Sequence, residues 1–210
     1  MNNQSEQKEM RQFLALGDSY TIGESVGEDD RWPVQLAEEI NSLADSAFAA
    51  PVIIARTGWR TDELISAIGD RKPTDDFDLV SLLIGVNNQY QQRPVEDYRK
   101  EFRDLVEIAI QKARGNPDRV LVVSIPDYGY TPFGAANKEK ISAELDNYNE
   151  INRSIAQEYD VIYVSITDIS RSTDASLVAD DNLHPSARQY ELWVERILAS
   201  ERFAAEFLND

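Results

Sequence analysis

Short, continuous apolar runs alternate with amphipathic stretches along this chain, and that alternation restricts its fold more than any other feature. Leu79-Val80-Ser81-Leu82-Leu83-Ile84 and Val120-Leu121-Val122-Val123 are apolar almost throughout. They are too short for globular helices and lack the in–out alternation of a half-exposed strand. Such runs suit strands buried on both faces, as in a parallel sheet. Phe13 to Leu16, Val52 to Ala55 and Val161 to Val164 complete a set of five. Helical patterns lie between them. The spacing predicts helices over Arg31 to Leu43, from about Thr61 with Leu64, Ile65 and Ile68, and around Ile141, Leu145, Tyr148, Ile151 and Ile155. The clearest runs from Val95 to Ala113, with Tyr98, Phe102, Leu105, Val106 and Ala109 recurring at three- and four-residue steps until Gly115-Asn116-Pro117 stops it. The last starts at Ser186, where Gln189 three residues on predicts a capping box. The alternation predicts an α/β fold: a parallel sheet with helices on both faces. Ligands in such sheets sit beyond the carboxyl ends of the strands, so functional residues are expected just after strands.

The 210 residues fit one domain, with a polar tail over residues 1–11 and a single domain over 12–210. No apolar run is long enough for a transmembrane helix, and the N-terminus lacks the basic start and apolar centre of a signal peptide, so a cytoplasmic protein without integral membrane association is expected. The absence of cysteine excludes disulfides, a thiol nucleophile and thiolate metal sites, and a lone histidine, His184, argues against a His-rich metal centre. The net charge of −17 repels nucleic-acid phosphates and anionic membranes, which leaves a small-molecule partner as the expectation.

Four polar motifs follow predicted strands. Gly17-Asp18-Ser19 follows the first, and Arg56-Thr57-Gly58-Trp59 the second. Gly85-Val86-Asn87-Asn88 follows the third, and Asp181-Asn182-Leu183-His184-Pro185 lies beyond the fifth. Each alone is an ordinary turn or cap sequence. Together they stand at one sheet edge and complete one machine. A serine is a poor nucleophile until a neighbouring base takes its proton, and histidine has the intrinsic pKa for that task. Asp181, three residues before His184, can hold the imidazole tautomer; Asp180 is the rival for that place. The backbone N–H groups of Ser19 and Gly58, with the Asn87 amide, can receive a developing oxyanion. Asp18 reads as a turn residue.

These blocks resemble the SGNH hydrolases, or GDSL esterase/lipase family, from residue 13 to about 198. Phe13 to Tyr20 is similar to the family's serine block, Gly58 to its glycine block, Gly85 to Asn88 to its Gly-x-Asn-Asp block, and Asp181 to Pro185 to its Asp-x-x-His-Pro block. The resemblance implies a three-layer α/β/α, flavodoxin-like fold with a five-stranded parallel sheet. It also implies metal-independent hydrolysis through an acyl-enzyme, with Ser19, Asp181 and His184 catalytic and no cofactor. Two positions depart from the pattern: Tyr20 replaces the usual leucine and Asn88 the usual aspartate. Both bear on the pocket or on the support of the oxyanion hole. An α/β-hydrolase is excluded, because Thr21 stands where Gly-x-Ser-x-Gly needs glycine. A dinucleotide-binding fold is excluded for want of Gly-x-Gly-x-x-Gly after a strand.

The aromatic loop after the fourth strand predicts pocket walls at Tyr128, Tyr130 and Phe133, joined by Tyr20, Trp59, Asn88 and Tyr90 beside the motifs. The expected function is hydrolysis of short-chain esters, such as O-acetylated carbohydrates. A lysophospholipase or thioesterase of the same family, a silent ligand-binding relative and a metal-dependent phosphoesterase using Asp18, Asn87 and His184 are the alternatives.

Overall fold

The computed structural model describes residues 10–44 and 47–209. Its centre is a five-stranded sheet of β1 (Phe13–Gly17), β2 (Val52–Ala55), β3 (Leu79–Leu83), β4 (Val120–Val123) and β5 (Ile162–Val164), all parallel, in the order β2-β1-β3-β4-β5. Every residue of β1, β3 and β4 is buried, as continuous apolar runs require. β2 differs: it is an edge strand, and Val52 is exposed.

Helices cover both faces and make three layers. On one, α2 (Trp32–Leu43) packs against α8 (Ala187–Leu198), which meets the one-turn α7 (Thr167–Ser170) and carries α9 (Glu201–Phe207). On the other, α3 (Thr61–Arg71), α5 (Val95–Lys112) and α6 (Lys138–Glu158) lie side by side. The amphipathic periods account for these contacts. α5 buries Tyr98, Phe102, Leu105, Val106 and Ala109 on one stripe. Each full burial of such a side chain contributes ~2 kcal/mol before the entropy of ordering it. At the start of α8, Ser186 Oγ accepts the Gln189 N–H, but the Gln189 side chain donates to Leu177 O at 2.6 Å instead of returning to Ser186. Only half of the expected capping box forms, because the buried Leu177 carbonyl competes for the same amide.

Residues 1–9 of the expected tail lie outside the described residues. The end of that stretch is not free. Arg11 pairs with the strand-like segment at Phe48 and lays its guanidinium over the Phe48 and Phe207 rings. Among the described residues no helix is long and apolar enough to cross a membrane.

The strand order fixes where a site can form. The chain steps from β1 outward to β2, then returns to place β3 on the other side of β1. A crevice opens at such a reversal, beyond the carboxyl ends of β1 and β3. Gly17 is level with both Ala55 and Leu83, so the segments leaving β1, β2 and β3 start from one edge.

Candidate active site

Ser19 opens α1 (Ser19–Ile22) directly after β1. Asp18 caps that turn: its Oδ1 accepts the Tyr20 N–H at 3.0 Å, the turn role its position suggests. The Asp18 carboxyl is fully buried and its Oδ2 has no partner among the described residues. Burial lifts it to about 7, against the lowering effect of the backbone N–H bonds.

Asn87 does not stand in a loop as expected but in a short helix, α4 (Val86–Tyr90). Gly85 starts it at φ +130°, with Tyr98 Oη and Ile125 packed where a Cβ would point, so glycine is required there twice over. Asn87 Nδ2 donates one N–H to Trp59 O at 3.0 Å, and the other has no partner among the described residues. Gly58, at φ +85°, presents open space where a side chain would be. Neither its N–H nor that of Ser19 has a partner among the described residues.

His184 is buried, and its ring stands on the loop between β5 and α8. Its Nδ1 lies 2.5 Å from Asp181 Oδ2. Asp181 Oδ1 accepts the Leu183 and His184 backbone N–H groups, each at 2.9 Å, and Ser25 Oγ donates to Oδ2 at 2.6 Å. Partial burial pushes the Asp181 carboxyl up. The bonds from Ser25, the imidazole and the backbone outweigh it and hold the group well below the usual carboxylate range. A carboxylate only accepts, so the imidazole proton sits on Nδ1 and Nε2 is free to take another. Asp180, the rival acid, makes no bond to the ring. Ser25 had no sequence signal; it meets Asp181 across 156 residues of chain.

These groups meet at one cavity of about 210 Å³ lined by Ser19, Gly58, Asn87 and His184, with Tyr20, Thr57, Val86, Tyr90, Tyr128, Phe133 and Leu183 around them. The Ser19 hydroxyl makes no hydrogen bond among the described residues; such bonds commonly tighten only when substrate binds. Tyr20 holds the imidazole in place, edge to ring at 5.8 Å, and is itself backed by Trp193. Tyr90, Tyr128 and Phe133 form a mutual cluster with centroids 6.1–6.3 Å apart. Phe133 N–H donates to Asn182 O, tying this aromatic loop to the histidine loop.

Three expected wall residues stand elsewhere. Trp59 packs partly buried against the core, offering the cavity only its carbonyl bond to Asn87. Tyr130 turns away under Lys138 Nζ, 3.5 Å from its ring centre. Asn88 is buried, accepting the Thr61 N–H at 3.1 Å and donating to Thr61 Oγ1 at 2.7 Å, while Thr61 donates onward to Glu101. It clamps α4 to α3 and suits that place as an asparagine does, since an aspartate cannot donate. No group of three or more histidine and carboxylate side chains that could hold a metal ion occurs among the described residues.

A multidomain esterase from Ruminococcus flavefaciens is 27% identical over 124 residues, which are 57% of this chain and 15% of that protein, so the chain spans a small part of its relative's length. A lipase structure from a goat rumen metagenome matches with a TM-score of 0.72 at 16% identity, covering 92% of this chain and 98% of the other. An acetylxylan esterase from Geobacillus stearothermophilus matches at 0.67 and 17%, covering 95% of each chain. A G-D-S-L family lipolytic protein from Veillonella parvula matches at 0.68 and 19%, covering 91% and 98%. At these identities the structures show the fold, a flanked five-stranded parallel sheet of SGNH type. The family itself is shown by a match over residues 15–192, which takes in Ser19, Gly58, Asn87 and His184: the chain belongs to the GDSL-like lipase/acylhydrolase family.

Proposed function

We propose that this protein hydrolyses short-chain carboxylic esters through an acyl-enzyme formed on Ser19. One observation carries the reading: a charged Asp181 holds His184 by Nδ1 at 2.5 Å, and the imidazole lines the same cavity as Ser19. His184 Nε2 takes the Ser19 proton as Oγ attacks the ester carbonyl. The carbonyl oxygen becomes an oxyanion, received by the Ser19 and Gly58 N–H groups and the free N–H of Asn87. His184 then passes its proton to the departing alcohol, and water releases the acid by the same steps in reverse order. Asp181 balances the imidazolium throughout.

The size and lining of the cavity support a short acyl group. At about 210 Å³ it falls below the range of drug-sized ligand pockets, roughly 300–1,000 Å³, and Val86, Leu183 and the aromatic cluster make its wall apolar. The likeness to an acetylxylan esterase and a multidomain esterase favours acetylated carbohydrates as substrates. Hydrolysis of p-nitrophenyl esters from acetyl upward tests the reading. Ser19→Ala is expected to lose about a thousandfold or more in kcat. Equal activity in wild type and variant removes Ser19 as the nucleophile.

A further inference from the structure

The acyl cavity is the first of three that share walls. Tyr90, Tyr128 and Phe133 also line a second cavity of about 300 Å³ on their other side. Gln89, Gln92, Lys140 and Glu144 are in turn common to the second and to a third of about 250 Å³. A trough thus runs from Ser19 over the aromatic rim and along α4 and the start of α6. Each polar cavity has more room than the acyl cavity.

The chemistry changes along this path. Beyond the rim most free groups are amides: the side chains of Gln92, Asn137 and Asn147 are exposed and make no hydrogen bond among the described residues, and Arg93 adds one cation at the wall of the third cavity. Gln92 is held at φ +54°, a left-handed conformation that a non-glycine residue keeps only when its surroundings impose it. Lys140 and Glu144 pair with each other at 3.8 Å, so the charges of the second cavity offset one another. Gln89 is fixed between the Tyr128 hydroxyl and Glu144, at 3.0 and 2.6 Å, and stiffens the floor. At the rim, Tyr90 and Phe133 are 56% and 52% exposed, large for aromatic side chains, and offer ring surface to a passing ligand.

We propose that this trough binds the alcohol half of the ester, and that this alcohol is a neutral oligosaccharide of more than one ring. The proposal rests on the hydrolase reading, which assigns the apolar cavity to the acyl group and leaves the polar side to the leaving group. Amides donate and accept at once, which suits hydroxyls that do the same. Exposed aromatic rings suit the apolar faces of sugar rings. The paired charges of the second cavity give no preference for an ionic alcohol there, and the net charge of −17 repels anionic ones despite the single Arg93 in the third cavity.

The test compares p-nitrophenyl acetate, O-acetylated methyl xyloside and O-acetylated xylotriose. In the wild type, kcat/KM is expected to rise about tenfold from the one-ring to the three-ring ester, through KM, as extra hydrogen bonds form. In the double variant Gln92→Ala, Asn137→Ala that gain disappears, and the ratio of kcat/KM on xylotriose acetate to that on p-nitrophenyl acetate falls about tenfold. Equal kcat/KM for one and three rings in the wild type overturns the proposal, as does a gain that survives in the double variant. Binding of unesterified xylotriose to Ser19→Ala, read from side-chain amide NMR signals, is independent of chemistry. Shifts confined to Gln92, Asn137 and Asn147 support the trough; no shifts at about 10 mM ligand overturn it. Survival of p-nitrophenyl acetate hydrolysis in Ser19→Ala removes Ser19 as the nucleophile instead, and the binding experiment still decides the trough.

Discussion

Asp181→Asn should abolish turnover while leaving the fold intact, and the reason lies in how the carboxylate is used. Its Oδ1 accepts two backbone N–H groups, so the oxygen of an asparagine must stay on that side. The amide nitrogen then falls where Oδ2 was, facing Ser25 Oγ and His184 Nδ1. The Ser25 hydroxyl can rotate and accept. The imidazole can accept only by moving its proton from Nδ1 to Nε2, and a protonated Nε2 cannot take the Ser19 proton. A wrong-tautomer base of this kind loses about ten thousandfold in kcat, equivalent to about 5.5 kcal/mol of barrier. The number of hydrogen bonds at residue 181 is unchanged, so stability should move by no more than about 1 kcal/mol. Rates on p-nitrophenyl acetate, a urea titration and ¹⁵N-histidine NMR check each part. His184 is the sole histidine, so its tautomer is read from one set of ring signals without assignment. A variant within tenfold of wild type, or one whose imidazole keeps its proton on Nδ1, would falsify the argument.

Three further outcomes are expected. Asp18 keeps its proton to about pH 7 when folded, against 3.8 ordinarily, so the folded state binds more protons between those values and stability falls as pH rises through them. The loss is on the order of 4 kcal/mol, and Asp18→Asn removes it. Urea unfolding at pH 5 and pH 8 should therefore favour the variant more at pH 8; an identical difference at both pH values refutes the burial argument. Phe133→Ala, at an exposed rim position, should shift preference from acetyl toward longer acyl chains with a melting temperature near that of wild type; an unaltered chain-length profile in the p-nitrophenyl series removes Phe133 from the acyl wall. Gly58→Ala meets no atom within 4 Å but must hold φ +85°, so it should lose about 1–2 kcal/mol of stability. Its N–H should also tilt away from the oxyanion and lower kcat more than KM; a loss in KM alone argues against that donor.

The sheet was legible because its central strands are buried on both faces, and the edge strand β2 keeps an apolar run although Val52 is exposed. Val52–Ala55 and Val120–Val123 stand where their apolar runs predict them, and the other strands end within one residue of theirs. Short helices were not legible: α1 and α4 are each about one turn long, too brief for a 3.6-residue period to declare itself. The motif residues could be read because their chemistry is complementary. Their neighbours could not, because adjacency in sequence is not adjacency in direction. Successive side chains of a helix point about 100° apart, so Asn87 meets the cavity and Asn88 the interior. Tyr128 and Tyr130 are separated in the same way by a 3₁₀ turn. Ser25 lies in a polar stretch with no pattern, and its partner is supplied by the other end of the chain.

Asn87 and Asn88 also grip Trp59 and Thr61, so the segment bearing Gly58 and the helix bearing Asn87 move as one bracket. In the proposed reaction, water around a nascent negative oxygen would have to turn before it could help, whereas N–H groups held by this bracket would be in place when folding ends. On that reading, the orienting work would be done once per molecule, not once per turnover. The two arms of the bracket cannot drift apart while α3 stays docked, so on heating, the reactive geometry should fail abruptly, with the melting of that helix, and not by gradual loosening.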